Sequence, residues 1–162
     1  MLRAPTHASC ERSTGTALAS EKPAGERICY DPYARLFVGA GLYYVTKLFT
    51  AIGYANWRGP GVWEFLAARE RTIDDTLEAC LRDGLEQLVI LGAGYDARAY
   101  RFEALKTGIK VFEVDHPATQ AVKLRKLAAI FGARPAHVTY VAIDFDRETL
   151  AGRLLECGYD EG

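Results

Sequence analysis

The feature that most constrains the fold is a short apolar run that leads directly into two glycines. Gln87-Leu88-Val89-Ile90-Leu91 shows no alternation of apolar and polar residues, and Gly92-Ala93-Gly94 follows it. An unbroken apolar run of this length is typical of a strand whose two faces are both buried, as in a parallel sheet covered by helices. The glycines indicate a tight turn at the carboxyl end of that strand, where a ligand can approach the backbone closely.

Strands and helices alternate along the rest of the chain. Two further strands are predicted, over Lys110–Asp115 and over residues 137–142. Helices are predicted over residues 98–106 and 147–156, and from Pro117 onward with Ala121, Leu124, Ala128 and Phe131 on its apolar face. This order predicts an α/β fold with a parallel sheet and right-handed crossovers. Because three strands make half of a usual doubly wound sheet, we expect the chain to be a truncated, N-terminal half of such a fold.

The sequence divides into two predicted regions, 1–84 and 85–162. In the first region one helix is predicted to open at Asp31-Pro32, with proline at its first position. A second is predicted from Trp63 to about Arg82, after the Gly59-Pro60-Gly61 break. Region 1–84 is therefore expected to be a helical cap. Region 85–162 is expected to hold the first three strand–helix units of a ligand-binding domain.

Composition and charge disfavour several classes of protein. The 162 residues carry 20 basic and 21 acidic side chains, a net charge of −1, which gives no support for nucleic acid as a partner. The most apolar stretch, from Val38 to Ala55, is interrupted by Lys47 and by glycines, so no membrane association is expected. The four cysteines are far apart, which disfavours a metal site. Without a signal-peptide core, the chain is predicted to be cytoplasmic.

Acidic residues at the end of the second predicted strand indicate which kind of ligand could bind beside the glycine turn. Glu113 and Asp115 follow Gly92 by 21 and 23 residues. A carboxylate at this position of a parallel sheet can accept hydrogen bonds from both hydroxyls of a ribose. Glycine turn, strand, helix and acid together predict a site for a nucleoside-containing cofactor.

Two kinds of cofactor fit this pattern. Gly92, Gly94 and Ala97 satisfy the G-x-G-x-x-A pattern of dinucleotide-binding domains, so an NAD(P)-dependent oxidoreductase is one alternative. Two features weigh against it: about 85 residues precede the glycine-bearing strand, and Asp96 lies inside the turn, where it would repel a pyrophosphate. A cationic group beside Asp96 is more favourable. S-adenosyl-L-methionine carries an ammonium and a sulfonium and has no phosphate.

The same segments resemble the leucine carboxyl methyltransferase family of S-adenosyl-L-methionine-dependent O-methyltransferases, in its bacterial secondary-metabolism branch. The resemblance covers roughly residues 28–150 and is carried by five segments: Gln87 to Phe102, Val111 to Pro117 with Gln120 and Lys123, Arg69 to Asp75, Asp31 to Ala34, and Val141 to Phe145. It implies a class I methyltransferase fold, a Rossmann-like parallel sheet of which this chain holds the N-terminal half with its helical cap.

The resemblance also implies residue roles on the methionine side of the cofactor. Arg69 is expected to hold the cofactor carboxylate, a task that suits the planar guanidinium fork, and Arg71 is the nearby competitor. Lys22 is a further candidate for a carboxylate contact. The turn Gly92-Ala93-Gly94 is expected to lie against the methionine moiety, with Asp96 beside it.

On the nucleoside side, Asp115 or Glu113 is expected to hold the ribose, and family position favours Asp115. Asp144 and Phe145 are expected to flank the adenine, with the Asp144 carboxylate accepting the amino hydrogens. An alternative for Asp144 is a helix N-cap, because Glu148 follows at a distance similar to that of a capping box.

For three residues, a structural role agrees with the sequence at least as well as a role in binding or catalysis. Arg98 and Arg101 can pair with Asp96 or Glu103 and brace the turn. His116 precedes a helix-opening proline, which favours a capping role over that of a general base.

The function that follows is methylation of a carboxylate of a small-molecule acceptor. A carboxylate is already ionised near neutral pH and needs no general base, so alignment and exclusion of water can carry the reaction. This agrees with a sequence in which no catalytic residue and no nucleophile–base pair stands out. The alternatives are an oxidoreductase cofactor domain and a non-catalytic truncated remnant or partner chain. We expect a segment of this length to bind cofactor weakly when isolated.

Overall fold

The computed structural model describes residues 16–53 and 61–161. These residues form two compact units that divide between Asp83 and Gly84. The N-terminal unit comprises the described residues up to Asp83, and the C-terminal unit those from Gly84 onward. No helix in the described ranges combines the length and the apolar character that crossing a lipid bilayer requires.

The N-terminal unit is helical. Residues 16–20 are helical, a 3₁₀ turn spans Ala24–Glu26, and three helices follow: α1 (Ala34–Val38), α2 (Ala40–Ala51) and α3 (Val62–Arg82). A small core formed by Ala17, Ala34, Val38 and Tyr43 joins the helical residues 16–20 to α1 and α2. Helix α3 confirms the prediction of a helix from Trp63 to about Arg82. The predicted break at Gly59-Pro60-Gly61 is described only in part. Gly61 has a φ of 77°, whereas Gly59 and Pro60 lie outside the described residues.

The helix predicted to open at Asp31-Pro32 is two helices instead, and the first begins later. Asp31 caps it from outside: its Oδ1 accepts hydrogen bonds from the backbone N–H groups of Tyr33 (2.8 Å) and Ala34 (3.1 Å). Gly39 then separates α1 from α2 because its φ of 84° is incompatible with helix continuation. The prediction of Pro32 at the first helical position was therefore wrong.

The C-terminal unit is a three-stranded parallel sheet with helical connections, as predicted. Its elements are β1 (Gln87–Leu91), α4 (Arg98–Arg101), a 3₁₀ turn (Glu103–Lys106), β2 (Lys110–Asp115), α5 (Pro117–Phe131), β3 (Val138–Ala142) and α6 (Leu150–Glu156). The strand order is β1-β2-β3. Leu91 is in register with Val114, and Asp115 with Ala142. This architecture confirms the predicted partial Rossmann-like fold.

A hydrophobic core lies against one face of the sheet. Phe112 and Val114 on β2 pack with Val141, Ile143 and Leu154, which places α6 against one face of the sheet. The segment after α6 is fixed to the start of β1, because the side-chain amide of Gln87 donates to the Asp160 carbonyl oxygen (2.8 Å) and accepts from the Asp160 N–H (2.9 Å).

Three details of the helices differ from the sequence predictions. The helix predicted over residues 98–106 breaks at Phe102, whose backbone is extended. The last helix begins at Leu150 rather than at residue 147, because Thr149 accepts a capping hydrogen bond from Gly152 N–H (3.4 Å). The predicted apolar face of α5 was wrong: the buried residues of α5 are Thr119, Gln120, Lys123 and Leu127.

Candidate functional site

The candidate site lies where the three parallel strands end. The glycine turn follows β1, Asp115 is the last residue of β2, and Asp144 is the second residue after β3. Parallel strands bring their carboxyl ends to one edge of the sheet, which is where ligands bind in open α/β folds. The backbone ladder continues past the strands on both sides of Asp115: Ala93 N–H donates to the Val114 carbonyl (3.1 Å) and Ile143 N–H to the Asp115 carbonyl (3.0 Å).

The glycine turn has a backbone that favours glycine at two positions. Gly92 has a φ of 60° and Gly94 a φ of 42°. The turn closes through a hydrogen bond from Asp96 N–H to the Ala93 carbonyl (2.7 Å). A Cβ placed on Gly92 would meet nothing within 4 Å, so the backbone at Gly92 borders open space. Ala93 is buried, so within the turn the exposed backbone of Gly92 is the part that a ligand could contact.

Asp115 joins the turn to the end of β2. Its Oδ2 accepts a hydrogen bond from Gly94 N–H (2.6 Å), and its Oδ1 accepts one from His116 N–H (2.6 Å). A carboxylate oxygen has two lone pairs, so each oxygen keeps one acceptor position. The side chain is half-buried, and its two remaining acceptor positions match the two hydroxyls of a ribose.

Glu113, the alternative candidate for binding the ribose, lies in a different environment. Its side chain is only 1% exposed, and its Oε2 lies 2.8 Å from the Lys123 ammonium. Burial raises the pKa of Glu113, and the Lys123 charge opposes this rise without cancelling it. Glu113 thus holds an internal partner, whereas Asp115 reaches the open edge of the sheet.

Asp96 is directed into the protein and forms an ion pair with Arg98. Both side chains are buried, and Asp96 Oδ1 also accepts a hydrogen bond from Arg98 N–H (2.8 Å). Burial alone would raise the pKa of Asp96, but the Arg98 charge and backbone N–H together with the Lys123 charge outweigh it, so the pKa lies below the ordinary value. The predicted bracing role of Arg98 is confirmed. Because the pair is neutral, it removes the electrostatic reason for setting a cofactor cation beside Asp96.

Asp144 and Phe145 stand at the edge of the sheet beyond β3. The Phe145 side chain is exposed, and Asp144 is partly exposed, with Arg147 Nε 3.7 Å from its Oδ2. The Asp144 N–H donates to Glu148 (3.0 Å), as a capping box predicts, and the Asp144 carbonyl accepts from Arg147 and Glu148. These bonds form a separate turn rather than the cap of α6. Both side chains remain accessible for the predicted adenine contacts.

His116 caps α5. Its Nδ1 accepts a hydrogen bond from Ala118 N–H (3.2 Å) at the start of the helix, and Pro117 occupies the first helical position. The structure confirms the predicted capping role.

The predicted carboxylate-binding cations lie in the N-terminal unit. Arg69 is exposed on α3, and Arg71 forms an ion pair with Asp75 one turn along the same helix (2.7 Å). Of these two arginines, Arg69 has the freer side chain among the described residues. Lys22 is exposed and lines a cavity of about 360 Å³ within this unit, together with Lys47, Trp63 and apolar residues. The sequence analysis did not predict this cavity, because its lining comes from segments that are distant in the chain.

The sequence analysis also missed the role of Lys123. Lys123 was noted as part of a motif, yet it is buried beneath the glycine turn, where its Nζ donates to the Asp96 carbonyl (2.8 Å) and meets Glu113. One sequence signal could have revealed it. Gln120, Lys123 and Leu127 recur at helical spacing, which places the lysine on the same face as a leucine.

The sheet, the glycine turn and the acids at the strand ends define a partial Rossmann-like fold of the kind found in methyltransferases. The chain belongs to the leucine carboxyl methyltransferase family, whose family model matches residues 10–162. The resemblance predicted from the sequence motifs is therefore confirmed.

Several curated bacterial proteins are similar to this chain, and each bears the provisional name of S-adenosyl-L-methionine-dependent methyltransferase. A protein of Mycolicibacterium paratuberculosis is 39% identical over 108 residues, which are 67% of this chain and 34% of that protein. A Rhodococcus jostii protein is 34% identical over 154 residues, 93% of this chain and 49% of its own length. A Mycobacterium sp. protein is 32% identical over 145 residues, 89% of this chain and 58% of its own length. The chain thus spans between about a third and three fifths of these relatives.

Proposed function

We propose that this chain supplies the cofactor-binding part of an S-adenosyl-L-methionine-dependent O-methyltransferase that methylates a carboxylate of a small molecule. The observation that carries the proposal is the junction of Asp115 with the glycine turn. A carboxylate with two free acceptor positions lies at the end of β2, hydrogen-bonded to Gly94 of a turn that borders open space. Family membership and the names of the relatives support this choice of cofactor.

The donor and acceptor chemistry of the described residues fits the cofactor. Asp115 would accept the two ribose hydroxyls, Asp144 the adenine amino hydrogens, and the exposed Phe145 ring would cover an adenine face. The glycine turn would allow the methionine moiety to approach the backbone. Arg69 would hold the cofactor carboxylate, as the family resemblance implies. When bound, the cofactor supplies an electrophilic methyl group.

The choice of acceptor rests on the chemistry that the site requires. Oxygen nucleophiles other than carboxylates need a base near neutral pH. Among the described residues, two groups that could serve are already committed: His116 caps α5 through Nδ1, and burial raises the pKa of Tyr100 well above its ordinary value of 10. Asp115 and Asp144 are assigned to the cofactor. A carboxylate acceptor needs no proton removed, so this arrangement suits it best.

Titration calorimetry with S-adenosylhomocysteine, S-adenosyl-L-methionine and NAD tests the choice of cofactor. We expect both sulfur compounds to bind with a stoichiometry of one and NAD to give no signal. Asp115→Asn should weaken binding by roughly tenfold to a hundredfold, the range of one hydrogen bond to a charged acceptor. The matched control is Asp160→Asn, an exposed site beside Gln87 at the opposite end of β1. Binding of NAD without a response to the sulfur compounds would overturn the proposal.

A methyl-transfer assay tests the acceptor. The chain is incubated with S-adenosyl-L-methionine carrying a labelled methyl group and with paired small acceptors, each a carboxylic acid and its alcohol or phenol counterpart. A carboxyl methyl ester is cleaved by mild alkali and releases labelled methanol, whereas a methyl ether is stable. We expect alkali-labile label from the acids alone. Alkali-stable label would contradict the carboxylate assignment and leave the cofactor assignment intact.

A further inference from the structure

Lys123 is a charged side chain in the interior of the C-terminal unit. It lies on the second turn of α5 and is 2% exposed. Its Nζ is 2.8 Å from the Asp96 carbonyl oxygen and 2.8 Å from Glu113 Oε2, and it lies over the Tyr100 ring at 5.3 Å from the centroid. One ammonium group therefore contacts the exit of the glycine turn and β2 at the same time.

A gain in stability does not account for this arrangement. A buried ion pair is often no more stabilising than well-packed apolar residues of similar volume, because both charges lose their hydration. The directional bond of Lys123 is the one to the Asp96 carbonyl oxygen, whereas its contact with Glu113 is an ion pair without hydrogen-bond geometry. The ammonium donates to Asp96 at one defined position, and Glu113 is held in turn by Gln120, whose Nε2 donates to the Glu113 carbonyl (3.3 Å).

The glycine turn is connected to β2 by side chains on two sides. On the open side, Gly94 N–H donates to Asp115. On the buried side, Lys123 connects the Asp96 carbonyl to Glu113. A ligand whose hydroxyls donate hydrogen bonds to Asp115 competes with Gly94 N–H for the negative charge of that carboxylate. The buried connection is not exposed to such competition.

We propose that Lys123 is a positioning residue that holds the glycine turn in register with the end of β2, so that the turn keeps its shape when Asp115 engages a ligand. The consequence for cofactor affinity rests on the proposed function. The consequence for the turn itself does not, because the contacts of Lys123 are present without a ligand.

Amide hydrogen exchange of the full chain, measured by NMR without ligand, tests the positioning role. The variant Lys123→Met removes the donor to Asp96 and leaves Glu113 without its counter-charge. Glu113→Gln keeps the lysine and an acceptor for it. The double variant Glu113→Gln/Lys123→Met removes both charges, which should recover stability relative to Lys123→Met. Arg125→Met, an exposed site on the same helix, is the control for loss of a positive charge.

We expect the amides of Gly94 and Asp96 to exchange roughly tenfold to a hundredfold faster in both variants that lack Lys123, relative to strand amides of the same variant, as expected for loss of one charge-assisted hydrogen bond. Glu113→Gln leaves Lys123 without its counter-charge and should lower the overall stability, but relative to strand amides of the same variant both Glu113→Gln and Arg125→Met should retain slow exchange in the turn. Two outcomes would show a general structural role and overturn the proposal. One is that exchange becomes faster by the same factor in all amides of the sheet. The other is that the double variant recovers slow exchange in the turn together with its stability. Failure of both Lys123 variants to fold would overturn it too.

Calorimetry with S-adenosylhomocysteine on the same four variants then tests the effect on the ligand. We expect affinity to fall about tenfold in both variants that lack Lys123 and to change little in Glu113→Gln and Arg125→Met. Equal affinity across all variants, despite faster exchange in the turn, would refute the link to ligand binding. An absence of binding in the unmodified chain would count against the proposed function and leave the exchange result valid.

Discussion

The buried pair between Asp96 and Arg98 should make a large contribution to the stability of the C-terminal unit. Both side chains are nearly inaccessible to solvent, at 8% and 6% exposure. Removing one member of such a pair costs about 3–5 kcal/mol, because the remaining charge stays buried. For Arg98→Met we expect the lower end, about 3 kcal/mol, because the Lys123 charge also acts on the Asp96 carboxylate.

Asp96→Asn should cost less than Arg98→Met. The asparagine Oδ1 can still accept from Arg98 N–H at the start of α4, so the turn keeps its cap. The double variant Asp96→Asn/Arg98→Met should be more stable than the sum of the two single effects predicts, by at least about 1 kcal/mol. Urea unfolding followed by circular dichroism at neutral pH gives these free energies.

The pH dependence supplies a sharper test. The folded-state pKa of Asp96 lies below its ordinary value of 3.8, so the ionised form stabilises the folded state above that value. This contribution is lost as pH falls through the lowered folded pKa. The stability difference between the unmodified chain and Asp96→Asn should therefore shrink below about pH 4. A difference that stays constant down to the acid limit of folding, or a loss under about 1 kcal/mol for Arg98→Met, would refute the reasoning.

Substitutions at four further positions give simple expectations. Gly92→Ala should lower the free energy of unfolding in urea by about 1–2 kcal/mol, because Gly92 has a φ of 60°; no steric clash adds to this cost. Gly41 lies within α2, where an added Cβ also meets no clash, so Gly41→Ala should raise the free energy of unfolding by about 0.5–1 kcal/mol. His116→Ala should cost about 1 kcal/mol by loss of the α5 cap, and His116→Asn should restore most of it. Phe145→Ala should leave the unfolding midpoint unchanged, since the ring is 62% exposed, yet weaken S-adenosylhomocysteine binding about tenfold in calorimetry.

The strands could be predicted because their signal is local. β1 and β2 begin and end where the apolar runs do, and Gly92 with its positive φ marks the turn. The helix boundaries were less accurate, since they depend on competing caps. Thr149 caps α6, whereas Asp144 forms a turn of its own. Threonine and aspartate are both favoured at helix N-caps and in turns, so residue type alone does not distinguish the two.

The choice between Glu113 and Asp115 shows what the sequence could not determine. Residues two apart on a strand point to the same face, so both carboxylates point to one side of β2. They differ in depth along the strand: Glu113 is buried and paired with Lys123 from α5, and Asp115 lies at the end. How far a helix covers a strand is a matter of tertiary packing. For the same reason, hydrophobicity alone assigned the wrong buried face to α5, which contains Lys123.

The two amides that donate to Asp115 also provide a spectroscopic measure of the site. Gly94 and His116 bond opposite oxygens of one carboxylate, each at 2.6 Å, from the turn and from the start of α5. A short bond to a carboxylate moves an amide proton resonance downfield. A ligand that withdraws negative charge from Asp115 should therefore shift both resonances upfield together, whereas a ligand bound elsewhere would leave the pair unchanged. These two native protons can therefore report occupancy of the site without a label in the ligand.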